Sequence, residues 1–249
     1  WCASNAEYTR EIQAVKGAWR EKIVKNALAD RSELTISRLL YEMQKTLPED
    51  AILVASSGNA QAQLLQEYIF KTPNSFITTG GFSTMGFSLP AALGVKMHNP
   101  TRPVVAVVGD GDFMMTLQEL STARQYNIPV IVVLANNMGW FAIKDLQMDV
   151  YGTSGVFGND FETRDGKLYS PDYVMLANSF GIEGLRVKSA QEVLGALRRA
   201  LDANAPFLIE AVVDREYPFS GGAATGWWDV PVPEYRRELR DGYEQAQRE

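Results

Sequence analysis

The sequence predicts an α/β fold in which a mainly parallel central sheet is covered by helices on both faces. Two observations carry this expectation. Apolar runs of strand length at 51–55, 104–108, 130–134 and 207–213 alternate with segments whose apolar residues recur every three to four positions. The chain has 249 residues, 46% of them hydrophobic, and its apolar runs are spread evenly, enough for one large core with no sign of a second.

The elements follow in order. Ile12, Val15, Trp19 and Ile23, set among Lys, Arg, Glu and Ala, predict a connector helix over 7–28. Ile36, Leu39, Leu40, Met43 and Leu47 repeat that period up to Pro48, which stops the second helix before the strand at 51–55. A helix over 60–70, a strand at 76–78, a glycine-rich turn and a small-residue helix over 89–97 come next. Beyond the strand at 104–108, Thr116 and Glu119 form a capping-box pattern for a helix running to Tyr126, and Pro129 opens the strand at 130–134. The glycine-rich, polar stretch 148–170 is expected to be irregular. A helix over 171–180, a strand at 184–187, a helix over 191–204 and a strand at 207–213 complete the pattern.

Composition excludes several functions. A net charge of −6 without a Lys/Arg stripe argues against a nucleic-acid surface. Cys2 is the sole cysteine, so an intrachain disulfide framework and a cysteine zinc site are both excluded, and a reducing cytosol is the expected compartment. No apolar run approaches the roughly 18 residues of a membrane span. His98 is the sole histidine and sits at the end of the small-residue helix, which makes a Ser-His-Asp triad improbable. Complete GxSxG and GKS/T motifs are absent. The start at Trp1-Cys2, without an initiator methionine, is read as that of a processed or excised piece of a longer chain.

Chemistry concentrates in two short runs. GDGDF at 109–113 closes the run 104–108, and NNMG at 136–139 closes the run 130–134. Asp110 and Asn137 thus stand just under thirty residues apart, each at a strand end, where parallel α/β sheets bind ligands. Mg²⁺ prefers an octahedron of oxygens. The Asp110 carboxylate, the Asn137 amide oxygen and the Gly139 carbonyl can supply the protein's share, with diphosphate oxygens supplying the rest. Gly109 and Gly111 let the backbone come close to phosphate, and the N–H groups of Asp112 and Phe113 can donate to it. Taken singly, each run is ordinary turn chemistry. An EF-hand loop is excluded, because Met114 and Met115 stand at its later oxygen positions. A generic domain holding Mg²⁺ and a nucleoside diphosphate is a weaker alternative.

On these residues the chain resembles, over nearly its whole length, the diphosphate-binding (PP) domain of thiamine diphosphate (ThDP) enzymes of the acetolactate synthase superfamily. Their signature reads GDG, just under thirty residues, then NN. The run GGFSTMGFSLPAALGVK at 80–96 is similar to the family segment that ends in a Pro-Ala-Ala helix. The resemblance implies a three-layer α/β/α ThDP-binding fold, with a connector over 1–31, the PP domain over 32–215 and a tail over 216–249. It implies that Met85 is the wedge that bends ThDP into a V, and that the Ser83 carbonyl accepts a bond from the cofactor's amino group, at a position where the family often has Gly. Trp140, directly after NNMG, is placed among the cofactor-binding residues. SSGN at 56–59 matches a family turn that is commonly Gly-Gln-His; here Gly58-Asn59-Ala60 lacks the histidine, which leaves backbone N–H groups and the Asn59 amide to hold the diphosphate. Asp112 stands where a small residue is frequent. Its carboxylate must point away from the diphosphate or face the metal, and it is read as a turn residue contributing its N–H.

The activity implied is ThDP- and Mg²⁺-dependent cleavage or formation of a carbon–carbon bond next to the carbonyl of a small substrate. Both 2-oxo acid decarboxylation or carboligation and hydrolysis of a cyclic 1,2-dione are open. FAIKDLQM after NNMGW, the loop FGNDFETRDGKLYSPD and GWWDVPVPEY at 226–235 locally resemble trihydroxycyclohexanedione hydrolase. Trp227-Trp228 is read as a lid or, equally, as a surface pin for the tail; Asp160, Glu162 and Arg164 are read as substrate contacts or a solvated loop. No catalytic residue is expected within the chain. The activating glutamate belongs to a pyrimidine-binding (Pyr) domain on another chain or on a missing N-terminal part, so a homodimer is the smallest unit expected and a higher oligomer is open. A non-catalytic ThDP-binding subunit is the alternative, and a flavin (FAD) in a domain outside these residues is left open.

Overall fold

The computed structural model describes residues 6–215, Tyr235 and 237–246. The chain opens with α1 (Ala6–Ala27) and α2 (Ile36–Thr46), followed by β1 (Ile52–Ala55), α3 (Gly58–Glu67), β2 (Phe76–Thr78) and α4 (Ser88–His98). The central part holds β3 (Val104–Gly109), α5 (Asp110–Met114), α6 (Glu119–Gln125), β4 (Val130–Asn136) and α7 (Phe141–Tyr151). It closes with α8 (Tyr173–Ser179), β5 (Glu183–Val187), α9 (Ala190–Ala203), β6 (Phe207–Val212) and α10 (Arg237–Ala246). No helix among the described residues is long and apolar enough to cross a membrane.

Among the described residues, six strands form one sheet in the order β2-β1-β3-β4-β6-β5, and every neighbouring pair is parallel. Alternation along each strand sends side chains to two separate cores. Leu53, Val105, Val107, Ile131, Val133 and Ile209 face α2, α3 and α9. Ile52, Val54, Val104, Ala106, Val132 and Leu208 face α4, α6 and α8. Burial on both faces explains why β3 and β4 are continuously apolar rather than alternating. Helix ends are set locally: the Thr35 hydroxyl accepts the N–H of Arg38 to start α2, and Ser189 with Glu192 forms a capping box for α9.

Four elements differ from the sequence reading. GDGD opens a helical turn, α5, directly at Asp110. FAIKDLQMDVY forms α7, so the expected irregular stretch begins only after Tyr151. Thr116 is not a cap; its hydroxyl donates to the carbonyl of Gly86 at 3.0 Å, and α6 starts three residues later, at Glu119. The last described helix, α10, lies within the stretch read as a tail. Trp227 and Trp228 lie outside the described residues.

Candidate cofactor site

The chain runs from β1 outward to β2 and then returns to place β3 on the other side of β1. That reversal opens a crevice at the carboxyl ends of β1 and β3, where doubly wound sheets bind ligands. The ends of β1, β3 and β4 converge there on an open cleft.

Asp110 sits at its centre, 3% exposed. Its Oδ1 accepts the N–H of Gly111 at 2.7 Å, and its Oδ2 accepts the N–H of Gly139 at 3.3 Å. Burial pushes the carboxyl up to about 6, against the opposing pull of backbone N–H groups at Gly111, Gly139, Met138 and Asn137. A cation bound to this carboxylate would offset its burial. Asn137 and Gly139 line the same cleft. Among the described residues no group of three His, Cys, Asp or Glu could cage a metal. A cation held here would therefore draw most of its oxygens from elsewhere, as Mg²⁺ does from phosphates and water.

The turn carrying these residues is held from behind. Trp140 donates its N–H to the carbonyl of Asn159 at 2.8 Å, Phe161 donates to that of Met138 at 3.0 Å, and Gly139 bridges Asp160. The Asp160 carboxylate is taken by Lys144 and Arg215. The loop is thus a brace for the NNMG turn, with Asp160 engaged inside the protein; Glu162 bridges Leu168 through the backbone, and Arg164 is exposed.

Gly111 has a packing reason to be glycine. A Cβ there would lie 2.1 Å from Cζ3 of Trp140, whose ring in turn meets Phe161 edge-on at 5.3 Å. The indole closes one wall of the cleft over the GDG backbone.

On the β1 side, Gly58, Asn59 and Ala60 begin α3, a ten-residue helix whose N-terminal end faces the cleft. The Asn59 Nδ2 is buried and has no hydrogen-bond partner. An unsatisfied donor beside a helix N-terminus suits an anion such as a diphosphate. Met85 reaches the cleft from the turn before α4.

Asp112 is 5% exposed and lines the cleft. Its carboxylate accepts the hydroxyls of Ser56 and Ser88 and the N–H of Gly86. These bonds tie the end of β1 and the Met85 turn to α5. Gly109, Gly111 and Trp140 join Asp110 and Met85 in the lining, but Ser83 and Phe113 do not. Ser83 occupies the left-handed region with φ 47°, a conformation that glycine adopts without cost, and its hydroxyl reaches the Ser56 carbonyl at 3.2 Å. Phe113 is 1% exposed and packs edge-on against Tyr173 in the core. Phe141 and Ile143, from the FAIKDLQM segment, also line the cleft, as do Ile36, Val213 and Asp214, which no motif marked.

The comparisons fit this geometry. The family model described as "Thiamine pyrophosphate enzyme, C-terminal TPP binding domain" matches residues 56–211. The chain is 33% identical over 222 residues to 3D-(3,5/4)-trihydroxycyclohexane-1,2-dione hydrolase of Bacillus subtilis (strain 168), covering 88% of this chain and 34% of the relative. It is 32% identical over 197 residues to a probable acetolactate synthase large subunit of Methanococcus aeolicus, covering 78% of this chain and 29% of the relative. Among solved structures it is similar to a thiamine diphosphate-dependent 4-hydroxybenzoylformate decarboxylase of Rhodococcus jostii RHA1, with a TM-score of 0.65, 27% identity, and coverage of 76% of this chain and 34% of that one. The chain spans about a third of the length of these proteins. Built around the cleft at Asp110 and Asn137, it belongs to the thiamine pyrophosphate enzyme family, as its C-terminal TPP-binding domain.

Proposed function

We propose that this chain holds ThDP and Mg²⁺ as half of an active site that cleaves or forms a carbon–carbon bond next to a carbonyl. Asp110, the amide oxygen of Asn137 and the carbonyl of Gly139 are the protein's metal ligands. The N–H groups of Gly58 and Ala60, together with the Asn59 amide, take the diphosphate, joined by the N–H of Asp112, with Gly109 and Gly111 letting the backbone come close. Met85 would contact the cofactor from the turn before α4, and Trp140 would cover the GDG backbone. ThDP, when bound, supplies a nucleophilic thiazolium carbon for carbonyl substrates. The observation that carries the reading is the orphaned Asn59 Nδ2 beside a helix N-terminus, in the same cleft as the buried carboxylate of Asp110.

A Pyr domain on another chain or segment completes the site in this reading, and a homodimer or higher oligomer brings the two together. The reaction is either acetolactate-synthase-like decarboxylation and carboligation of 2-oxo acids or hydrolysis of a cyclic 1,2-dione. The similarity to trihydroxycyclohexanedione hydrolases of several bacilli favours the second. Calorimetric titration with ThDP and with ADP, each with Mg²⁺, tests the cofactor: ThDP binding that disappears in Asp110→Ala is expected, and ADP binding in its place would overturn the reading. Product masses from 2-oxo acids and cyclic 1,2-diones, using the chain with its Pyr-domain counterpart, separate the two reactions. No turnover by that completed protein would leave a non-catalytic ThDP-binding subunit.

A further inference from the structure

Behind the metal turn lies a buried polar group that the proposed site does not use. Asn136, the last residue of β4, and Glu210 on the neighbouring strand β6 are each 1% exposed. Asn136 Nδ2 donates to Glu210 Oε1 at 2.9 Å and to the Ser170 hydroxyl at 2.8 Å. With both hydrogens of its amide committed, Asn136 Oδ1 is left to accept the N–H of Met138 at 3.2 Å. The opposite orientation would set the amide oxygen against a carboxylate and the NH₂ against an N–H. Glu210 therefore fixes which way the Asn136 amide faces.

That orientation matters two residues on. Met138 is held at φ 57°, a left-handed conformation that costs a methionine about 1 kcal/mol. The bond from its N–H to Asn136 offsets that cost and closes the turn, which delivers the Gly139 N–H to Asp110 Oδ2. Glu210 itself is countered by Arg186, whose Nε lies 2.8 Å from Oε2. The Arg186 side chain is partly exposed, so Glu210 is the buried member of the pair.

We propose that Glu210 and Asn136 are positioning residues for the metal: Glu210 orients the Asn136 amide, which sets the Met138 turn and so the placement of the Asn137 and Gly139 oxygens. The inference rests on the metal reading of Asp110, Asn137 and Gly139. Partners behind metal ligands typically govern affinity by about 10- to 100-fold.

The test is a Mn²⁺ titration of the chain at saturating ThDP, with free Mn²⁺ read by electron paramagnetic resonance. Glu210→Leu should weaken Mn²⁺ binding about tenfold or more. Arg186→Met breaks the same ion pair but leaves the Glu210 to Asn136 bond, so its Mn²⁺ affinity should stay within about twofold of the parent while its thermal stability falls. Equal losses of affinity in the two variants would mark the pair as merely structural and overturn the inference. Glu210→Gln, which keeps one acceptor oxygen for two donors, gives an intermediate loss and substitutes for Glu210→Leu if that variant does not fold. Asp110→Ala separates the two layers of the argument. If it binds Mn²⁺ like the parent, the metal reading falls and the inference with it; if it loses Mn²⁺ while both Glu210 variants keep it, the inference alone falls.

Discussion

The carboxylate of Asp112 accepts the backbone N–H of Gly86, the residue that follows Met85. Gly86 is held from its other side as well, since its carbonyl accepts the Thr116 hydroxyl, and at φ 83°, a conformation that favours glycine, a Cβ would press on Met115 and Thr116 at 3.2 and 3.1 Å. The turn that presents Met85 is thus clamped to the GDGD segment that presents Asp110. Asp112→Ala strands the Gly86 N–H and the Ser56 and Ser88 hydroxyls in a buried place, which should destabilise the chain by about 2–4 kcal/mol. Urea unfolding would measure it. Asp112→Asn, which keeps an acceptor oxygen, should lose about half as much.

Gly111 and Trp140 make a second pair whose coupling can be read. Gly111→Ala sets a methyl 2.1 Å from the indole, so the ring must leave its seat against Phe161. Expected are a change in tryptophan fluorescence and a loss of roughly 1–3 kcal/mol of stability. In Trp140→Ala the added methyl has space, so Gly111→Ala should cost less than about 0.5 kcal/mol there. A double-mutant cycle with no coupling energy would contradict the packing.

The Asn59 amide should show the reverse balance between stability and binding. Its Nδ2 is buried without a partner, so Asn59→Leu removes an unmet donor and should leave the free chain as stable as before or up to about 1 kcal/mol more stable. ThDP affinity should fall about tenfold, equivalent to one charge-assisted hydrogen bond of about 1.4 kcal/mol. Calorimetry on the two forms measures the second quantity and thermal unfolding the first.

The sheet was legible because parallel strands buried on both faces read as unbroken apolar runs; 104–108 and 130–134 could hardly be anything else. The cleft was legible in part for the same reason, since GDGDF and NNMG end those runs. The partners of the Asp112 carboxylate were not, because Ser56, Gly86 and Ser88 lie far away in sequence and no spacing reports them. Thr116 fitted a capping box, yet a tertiary acceptor on Gly86 took its hydroxyl. Phe113 stood beside the motif and turned into the core, where Tyr173 receives it. In α7 the apolar residues Phe141, Ile143, Leu146, Met148 and Val150 follow no clean helical stripe, because the helix lines the cleft with one part and meets solvent with another. Ile36 and Val213 reach the cleft from ordinary core patterns, which carry no chemical mark.

Glu67, at the end of α3, ties the connector helix to pH. Its Oε1 accepts the Ser37 hydroxyl at 2.9 Å and its Oε2 is buried without a partner, beside a cavity between α1 and α2 also lined by Lys16, Trp19, Arg20 and Tyr41. Burial pushes its carboxyl from 4.5 up to about 7, only partly opposed by the bond from Ser37. The folded chain therefore binds a proton that the unfolded chain releases at lower pH. That stabilisation is complete below pH 4.5 and is lost as pH rises through 7. Part of the side chain meets solvent, so the loss should be about 2 kcal/mol rather than the full linkage value. Stability measured by urea unfolding between pH 5 and 8 should fall with this slope superimposed on that of the other groups. Glu67→Gln, neutral throughout, should flatten the profile by the same amount, and an unchanged slope would show that Glu67 ionises in the folded chain as freely as in the unfolded one.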